Sequence, residues 1–265
     1  MRGVVRGITV ETALYGLFIV IAVFTRFWDL GAKALHHDES LHAYFSWLYA
    51  TGEGYRHDPL MHGPFLFHVE ALVFFLFGDS DASSRYAPAF FGVLLVGLPY
   101  LLRGPRHLGR WGALAASFLF LISPAMLYQS RYIRQDIFTA AGTLFFFICI
   151  VRYIERPQRR WLVLGAASAS LLLTNHEIIF AVLAIFAFFL YGALFWGRAR
   201  AWWPDRREIV YRIAAIHLAF AAAALALVSL IPTRFKDDLL DIPWENPSRQ
   251  QELDYYERGA TNPLV

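Results

Sequence analysis

The chain has 265 residues and a net charge of only +3, yet it is 57% hydrophobic and 17% aromatic, with a mean hydropathy of +0.43. A soluble domain sits nearer ~45–50% apolar, so this composition excludes an ordinary soluble globule and indicates an integral membrane protein. A single cysteine, Cys149, excludes an internal disulfide framework, and nothing in the sequence reads as a nucleic-acid module.

A helix that crosses the ~30 Å hydrocarbon core needs roughly 20 apolar residues. The first such run is Ile8 to Phe27, preceded by Arg2 and Arg6. Ala32-Lys33-Ala34 has the small-x-small form of a cleavage site. Arg26 and Asp29 separate it from the apolar run, so the segment is expected to remain as an anchor. A first outer loop, residues 28–84, follows. It is expected to carry interfacial helices over about 38–51 and 64–77, because Pro64–Phe77 is apolar but too short to span. The later spans are Tyr86–Leu102, Trp111–Tyr128, Ile137–Val151, Trp161–Leu173, Ile178–Trp196 and Ile209–Ile231. Small residues at Ala140-Ala141-Gly142 and at Gly165–Ser170 predict that those two helices approach closely at the centre of the bundle.

Sidedness follows from the basic residues. If Pro64–Phe77 does not span, the N-terminus and the loops Arg103–Arg110, Arg152–Arg160 and Arg198–Arg212 share one side. That side then holds 14 of the 24 Lys+Arg and 4 of the 21 Asp+Glu. The positive-inside rule makes it the cytoplasmic side. The expected fold is an all-α integral membrane protein with about seven transmembrane helices plus interfacial helices in the first outer loop. It is multi-pass in the plasma membrane, with the N-terminus cytoplasmic. Residues 1–231 form the transmembrane module, and 232–265 form an outward-facing acidic tail.

This topology gathers the chemistry on the outer face. Six of the nine histidines (His36, His37, His42, His57, His62 and His68) lie between positions 36 and 68, together with Asp38, Glu39 and Asp58. The turn after the third span adds Arg131, Arg134 and Asp136, and the turn after the fifth adds Asn175, His176 and Glu177. Ionisable groups at membrane depth usually face a cavity or a partner. Arg131 and Arg134, three apart, would share one side of a helical turn, and two guanidinium forks suit a phosphate or pyrophosphate. Solvated or headgroup-anchoring arginines are the alternative reading. The His/carboxylate set also suits a divalent metal ion. It is not a metalloprotease motif, because His37 and His42 are five apart rather than the four of H-E-x-x-H. Nucleotide-binding glycine loops and the G-x-S-x-G elbow are absent from the sequence.

Several stretches together resemble a known superfamily. They are His37-Asp38-Glu39 opening a helix after a membrane span, Asp58-Pro59-Leu60-Met61-His62-Gly63-Pro64, an apolar run ending in Phe77-Gly78, and Asp81-Ala82-Ser83-Ser84-Arg85-Tyr86. Ser123-Pro124 through Arg134-Gln135-Asp136 and Leu173-Thr174-Asn175-His176-Glu177 add two later outer turns. The pattern resembles the C-type (GT-C) glycosyltransferases of the protein-O-mannosyltransferase and aminoarabinose-transferase kind, closest to a family-39-like, flippase-associated branch. Relatives usually continue into further membrane helices, so the chain reads as a truncated module.

The resemblance implies transfer of a sugar, with inversion, from a polyprenyl-phosphate donor to a glycan, lipid or protein acceptor on the outer face. It implies Asp38 as general base, with Glu39 beside it in the catalytic pair. His37, Asp58, His62, Arg131, Arg134, Asp136, His176 and Glu177 would bind substrate. The contrasting reading is a non-catalytic or partial GT-C-like subunit that binds lipid or another membrane chain.

Overall fold

In a computed structural model, the chain is described at residues 9–53 and 62–195 and at scattered positions between 208 and 222. It divides into two compact units, Met1–Val210 and Tyr211–Val265. The expected seventh span is described at only a few positions, and the acidic tail and Asp58 lie outside the described residues. Among the described residues every element is helical and none is a strand. The first unit holds α1 (Val10–Phe27), α2 (His37–Ala50), α3 (Phe65–Phe77), α4 (Tyr86–Gly97), α5 (Gly109–Ile122), α6 (Pro124–Gln129), α7 (Asp136–Glu155), α8 (Arg159–Leu173) and α9 (Ile178–Phe195). Three helical segments are long and apolar enough to cross a membrane: Val10–Phe27, Ser83–Leu102 and Asp136–Glu155.

The helix ends follow local chemistry. Thr9 caps α1 by accepting from Thr12 N–H, and Glu11 meets the positive end of the helix in its first turn. The expected span Trp111–Tyr128 is broken. Pro124 has no N–H to donate and forces Ser123 into an extended conformation. Ser123 therefore ends α5 and starts α6, with its hydroxyl accepting from Met126 N–H.

Packing gives the bundle two distinct ends. At one end Glu11 pairs with Arg103 (3.7 Å) and Arg110 (2.8 Å), Arg152 donates to the Leu101 carbonyl, and His107 meets Glu155 at 2.9 Å. Among the described residues, two of the loops that sequence groups as basic, Arg103–Arg110 and Arg152–Arg160, therefore meet near the start of α1. At the opposite end, α1 finishes beside α2, the starts of α4 and α7, and the α8–α9 turn. Helix α3, at ~20 Å, is shorter than the ~30 Å core. Its first residue, Phe65, donates to the Thr174 carbonyl (2.9 Å), and the turn that follows it carries Arg85, which is bonded to Glu39. Helix α3 thus starts and returns at the same end.

Beneath that end, Ala43 of α2, Leu66, Phe67 and Phe74 of α3, Ala87 and Leu95 of α4, and Ile133, Ile137, Phe138 and Ala141 form the core. Helices α7 and α8 form the most extensive pair, and Ser168 Oγ donates to the Gly142 carbonyl at 3.1 Å. A Cβ on Gly142 would approach Leu172 Cδ2 to 2.7 Å, so the small-residue stretches are where the two helices close up.

Gly92 of α4 faces the turn that follows α6. A methyl group there would sit 2.5 Å from Ser130 Cβ and 3.2 Å from the buried Arg26 side chain. Overpacking of this kind costs about 1–3 kcal/mol. Gly92→Ala is expected to lower the thermal midpoint of the detergent-solubilised protein by roughly 2–10 °C. Adding Ser130→Gly should restore part of the loss, and an unchanged midpoint in the single variant would contradict this approach of α4 to residue 130.

Candidate functional site

The site is assembled from the 36–42 segment, the 62–64 strand of loop, the 131–136 turn and the 174–177 turn. The loop between α1 and α2 is fixed first. Helix α2 opens on a capping box, with Asp38 N–H donating to His36 Nδ1 (3.4 Å) and His36 N–H donating to Glu39 Oε2 (3.0 Å). Tyr132 Oη donates to the same His36 nitrogen at 2.9 Å.

Glu39 is 2% exposed. Arg85 Nε and Nη2 donate to its two oxygens at 2.8 and 2.7 Å, and the N–H groups of Ile133 (3.2 Å) and His36 complete four acceptances. These use the roughly four lone-pair directions of a carboxylate. The other donors of Arg85 go to the carbonyls of Leu30 (2.6 Å), Lys33 (2.9 Å) and Ala34 (3.3 Å). Burial works to raise the pKa of Glu39, but the donors, Arg85 foremost, outweigh it and hold the group below its ordinary value. Glu39, expected beside Asp38 in the catalytic pair, thus has its lone-pair directions taken by four protein donors, while its neighbour faces the solvent.

That neighbour, Asp38, has a side chain 41% exposed, with Oδ2 3.4 Å from Arg134 Nη1. Arg134 is comparably exposed and also lies 3.9 Å from Asp136, the first residue of α7. His37, in the first turn of α2, is exposed. His42 lies one helical turn below Asp38, with Nδ1–H donating to the Asp38 carbonyl (2.6 Å) and Nε2 accepting from Gln135 Nε2 (3.2 Å). It stacks on Phe67 at 5.6 Å, and burial lowers its pKa, so it stays neutral.

Arg131 does not join Arg134. Its Nη1 donates to the carbonyls of Thr25 (3.0 Å) and Trp28 (2.7 Å), with a longer approach to that of Arg26, and Nη2 donates to that of Asp29 (3.3 Å). The guanidinium caps the C-terminal end of α1, where unpaired carbonyls and the helix dipole favour a cation. Arg131 and Arg134, expected to share one side of a helical turn, therefore point to different partners.

The remaining candidates meet at a neighbouring point. Gly63 N–H donates to the Asn175 carbonyl (3.1 Å), and Phe65 N–H to that of Thr174. A Cβ on Gly63 would come within 2.8 Å of the Asn175 carbonyl carbon, so only glycine allows the two strands of backbone so close. The buried Asn175 amide donates to the Gln135 carbonyl (3.1 Å) and Thr139 Oγ1 (2.8 Å), which ties this turn to the start of α7. His62 takes a φ of +63° and stacks on His176 at 4.3 Å. Its Nδ1 lies 3.0 Å from both oxygens of Glu177. Glu177 is held below the ordinary carboxylate range by its own backbone N–H, against slight burial and with help from His62. His62, His176 and Glu177 present ligand atoms all within 4.8 Å of one another, a set able to hold a metal ion.

Sequence reasoning missed Arg85, Gln135 and Glu70 of α3. Glu70 is completely buried with neither oxygen hydrogen-bonded, and burial pushes its pKa well above the ordinary carboxylate value.

A model of the dolichyl-phosphate-mannose-protein mannosyltransferase family matches residues 61–232, well over half of the chain. The chain belongs to this family, one of membrane glycosyltransferases of mannosyltransferase type that act with lipid-linked sugar. The matched range includes Arg85, Arg134, Asp136, His176 and Glu177, and begins after Asp38 and Glu39. No curated protein and no solved structure matches the chain.

Breaking a buried pair by removing one partner costs about 3–5 kcal/mol. Glu39→Gln, which strands the Arg85 charge, should lower the thermal midpoint sharply. The depressed pKa of Glu39 also sets a direction with pH. Its stabilisation is present above the unfolded-state value of ~4.3 and is lost as pH falls toward the folded value. The wild-type midpoint should fall more steeply below about pH 4.3 than that of Glu39→Gln, as read from thermal melts across pH.

Proposed function

We propose that the chain transfers a sugar from a polyprenyl-phosphate donor to an acceptor hydroxyl, with inversion, and that Asp38 is the general base. The observation that carries this reading is the half-exposed Asp38–Arg134 pair at 3.4 Å, set against a Glu39 whose lone pairs are all used. A base must have a free lone pair within hydrogen-bond reach of the hydroxyl it activates. Asp38 meets that requirement and its neighbour does not.

In the proposed step the acceptor oxygen attacks the anomeric carbon from the face opposite the phosphate. The bond from that carbon to the phosphate oxygen breaks, and the electron pair leaves with the lipid phosphate. The hydroxyl proton passes to Asp38. Arg134 receives the departing phosphate, where its charge is already aimed before the reaction begins. Asp136 holds the other edge of the guanidinium and keeps Arg134 from folding wholly onto Asp38. His37 is exposed beside the base, and His62 and Glu177 would meet the substrate from the neighbouring α8–α9 turn. Glu39 acts as a positioning residue by locking the first turn of α2.

The whole site sits where α1 leaves the apolar bundle, so a lipid-linked donor would reach it from the bilayer and an acceptor from water. The side it faces is taken as the outer one, because two of the basic loops, Arg103–Arg110 and Arg152–Arg160, lie at the other end of the helices.

In a membrane transfer assay with a polyprenyl-phosphate mannose donor, Asp38→Asn should reduce turnover by about 10²–10⁴-fold at matched expression. Arg134→Ala should lower kcat, with Arg134→Lys recovering part of it. Full turnover by Asp38→Asn would remove the base assignment.

A further inference from the structure

We propose that His62, His176 and Glu177 form a zinc-class metal site that joins the loop before α3 to the α8–α9 turn. The inference does not rest on Asp38 or Arg134; it concerns the three side chains that meet between the loop before α3 and the α8–α9 turn.

The first support is convergence. All three ligand atoms lie within 4.8 Å of one another, near enough for small side-chain rotations to bring them onto a single ion. His62 and His176 both direct Nδ1 at the Glu177 carboxylate, at 3.0 and 3.4 Å. The rings are stacked at 4.3 Å, which holds the two imidazoles side by side.

The second support is an electrostatic mismatch. His176 Nδ1 accepts from Ile178 N–H at 3.1 Å, so in the neutral ring this nitrogen carries a lone pair rather than a proton. It nevertheless lies 3.4 Å from Glu177 Oε2, which is another acceptor. Two electron-rich atoms at this distance call for a positive charge between them. The His62 proton reaches Glu177 but does not separate Glu177 from His176. A divalent cation at the junction would satisfy all three groups at once. To ligate through Nδ1, His62 would carry its single proton on Nε2, and Ile178 N–H would yield its bond to His176 Nδ1.

The third support is that the backbone places these groups before any ion binds. The Gly63–Asn175 and Phe65–Thr174 hydrogen bonds join the two segments, and His62 is held at a positive φ that a residue other than glycine seldom adopts. Such strain is kept only where the surroundings fix it. The donor chemistry selects the metal. Two imidazoles and one carboxylate suit Zn²⁺, whereas Mg²⁺ and Ca²⁺ prefer oxygen ligands. With Glu177 62% exposed, a fourth coordination position faces water and is open to an anionic oxygen.

The test uses the tag-free full-length protein in detergent, stripped with a chelator and titrated with Zn²⁺ or Co²⁺ alone. One ion per chain should bind saturably, Co²⁺ should give the visible absorption of a nitrogen-ligated tetrahedral site, and millimolar-range Mg²⁺ should not displace Zn²⁺. His62→Ala and His176→Ala should each weaken Zn²⁺ binding by more than about 100-fold, beyond the usual effect of losing an outer-shell partner. His107→Ala, at the opposite end of the bundle, should bind as the wild type does. Wild-type protein that binds no stoichiometric Zn²⁺ would mean that a proton alone bridges the trio and would overturn the proposal. Unweakened binding in the His62→Ala, His176→Ala double variant, or displacement by Mg²⁺, would overturn it as well. The wild-type titration decides the matter even if a variant does not fold.

Discussion

The site end of this protein depends on one buried ion pair. Placing a carboxylate and a guanidinium out of water is unfavourable unless geometry and hydrogen bonding compensate. Here every lone-pair direction of Glu39 and every donor of Arg85 is used. The pair joins the start of α2, the loop from Leu30 to Ala34, the entry to α4 and the turn before α7. It also sets direction. Successive residues on a helix point about 100° apart, so burying Glu39 turns Asp38 outward. The acidic pair that looks equivalent in sequence is thereby divided into one structural carboxylate and one exposed one.

The same division runs through the arginines. Arg26 is fully buried and donates to the Phe120 carbonyl, which fixes α1 against α5. Arg131 is spent on the last carbonyls of α1. Only Arg134 stands half exposed between two half-exposed carboxylates. The opposite end of the bundle holds ion pairs of another kind. Arg110 and Arg103 around Glu11 are well exposed, and exposed pairs contribute ~1 kcal/mol or less. Charge at that end lies in exposed pairs around one carboxylate, whereas charge at the site end is divided between buried and exposed groups.

Much of this was legible in the sequence. Apolar runs located α1, α4, α7, α8 and α9 because hydropathy over about 20 residues is a strong signal. The short apolar run at Pro64–Phe77 marked α3, and the Ala/Gly/Ser stretches marked the α7–α8 contact. What escaped was long-range pairing. Arg85 lies 46 positions from Glu39, and a loop arginine carries no local sign of its partner. Arg131 and Arg134 were paired by the three-residue spacing of a helix, but residues 131–135 are not regular helix, so the two side chains diverge. The break at Ser123-Pro124 was visible in the residues, yet the surrounding hydropathy concealed it.

The groups that keep at least partial exposure share a feature that the buried ones lack. Asp38, Arg134, Asp136, His62, His176 and Glu177 each contact an opposite or shared charge at 3.0 Å or more, and none is enclosed. Incoming phosphate, hydroxyl or metal can replace such contacts without unfolding the helices, because the backbone beneath is held by other bonds. Asn175 on Gln135 and Thr139, and Gly63 on Asn175, supply those bonds. Electrostatic catalysis works through groups fixed before the reaction, in positions that need little rearrangement when charge develops. A saturated inner layer that carries an unsaturated outer one meets that requirement, and it explains why so many polar side chains at this end of the bundle take no part in chemistry themselves.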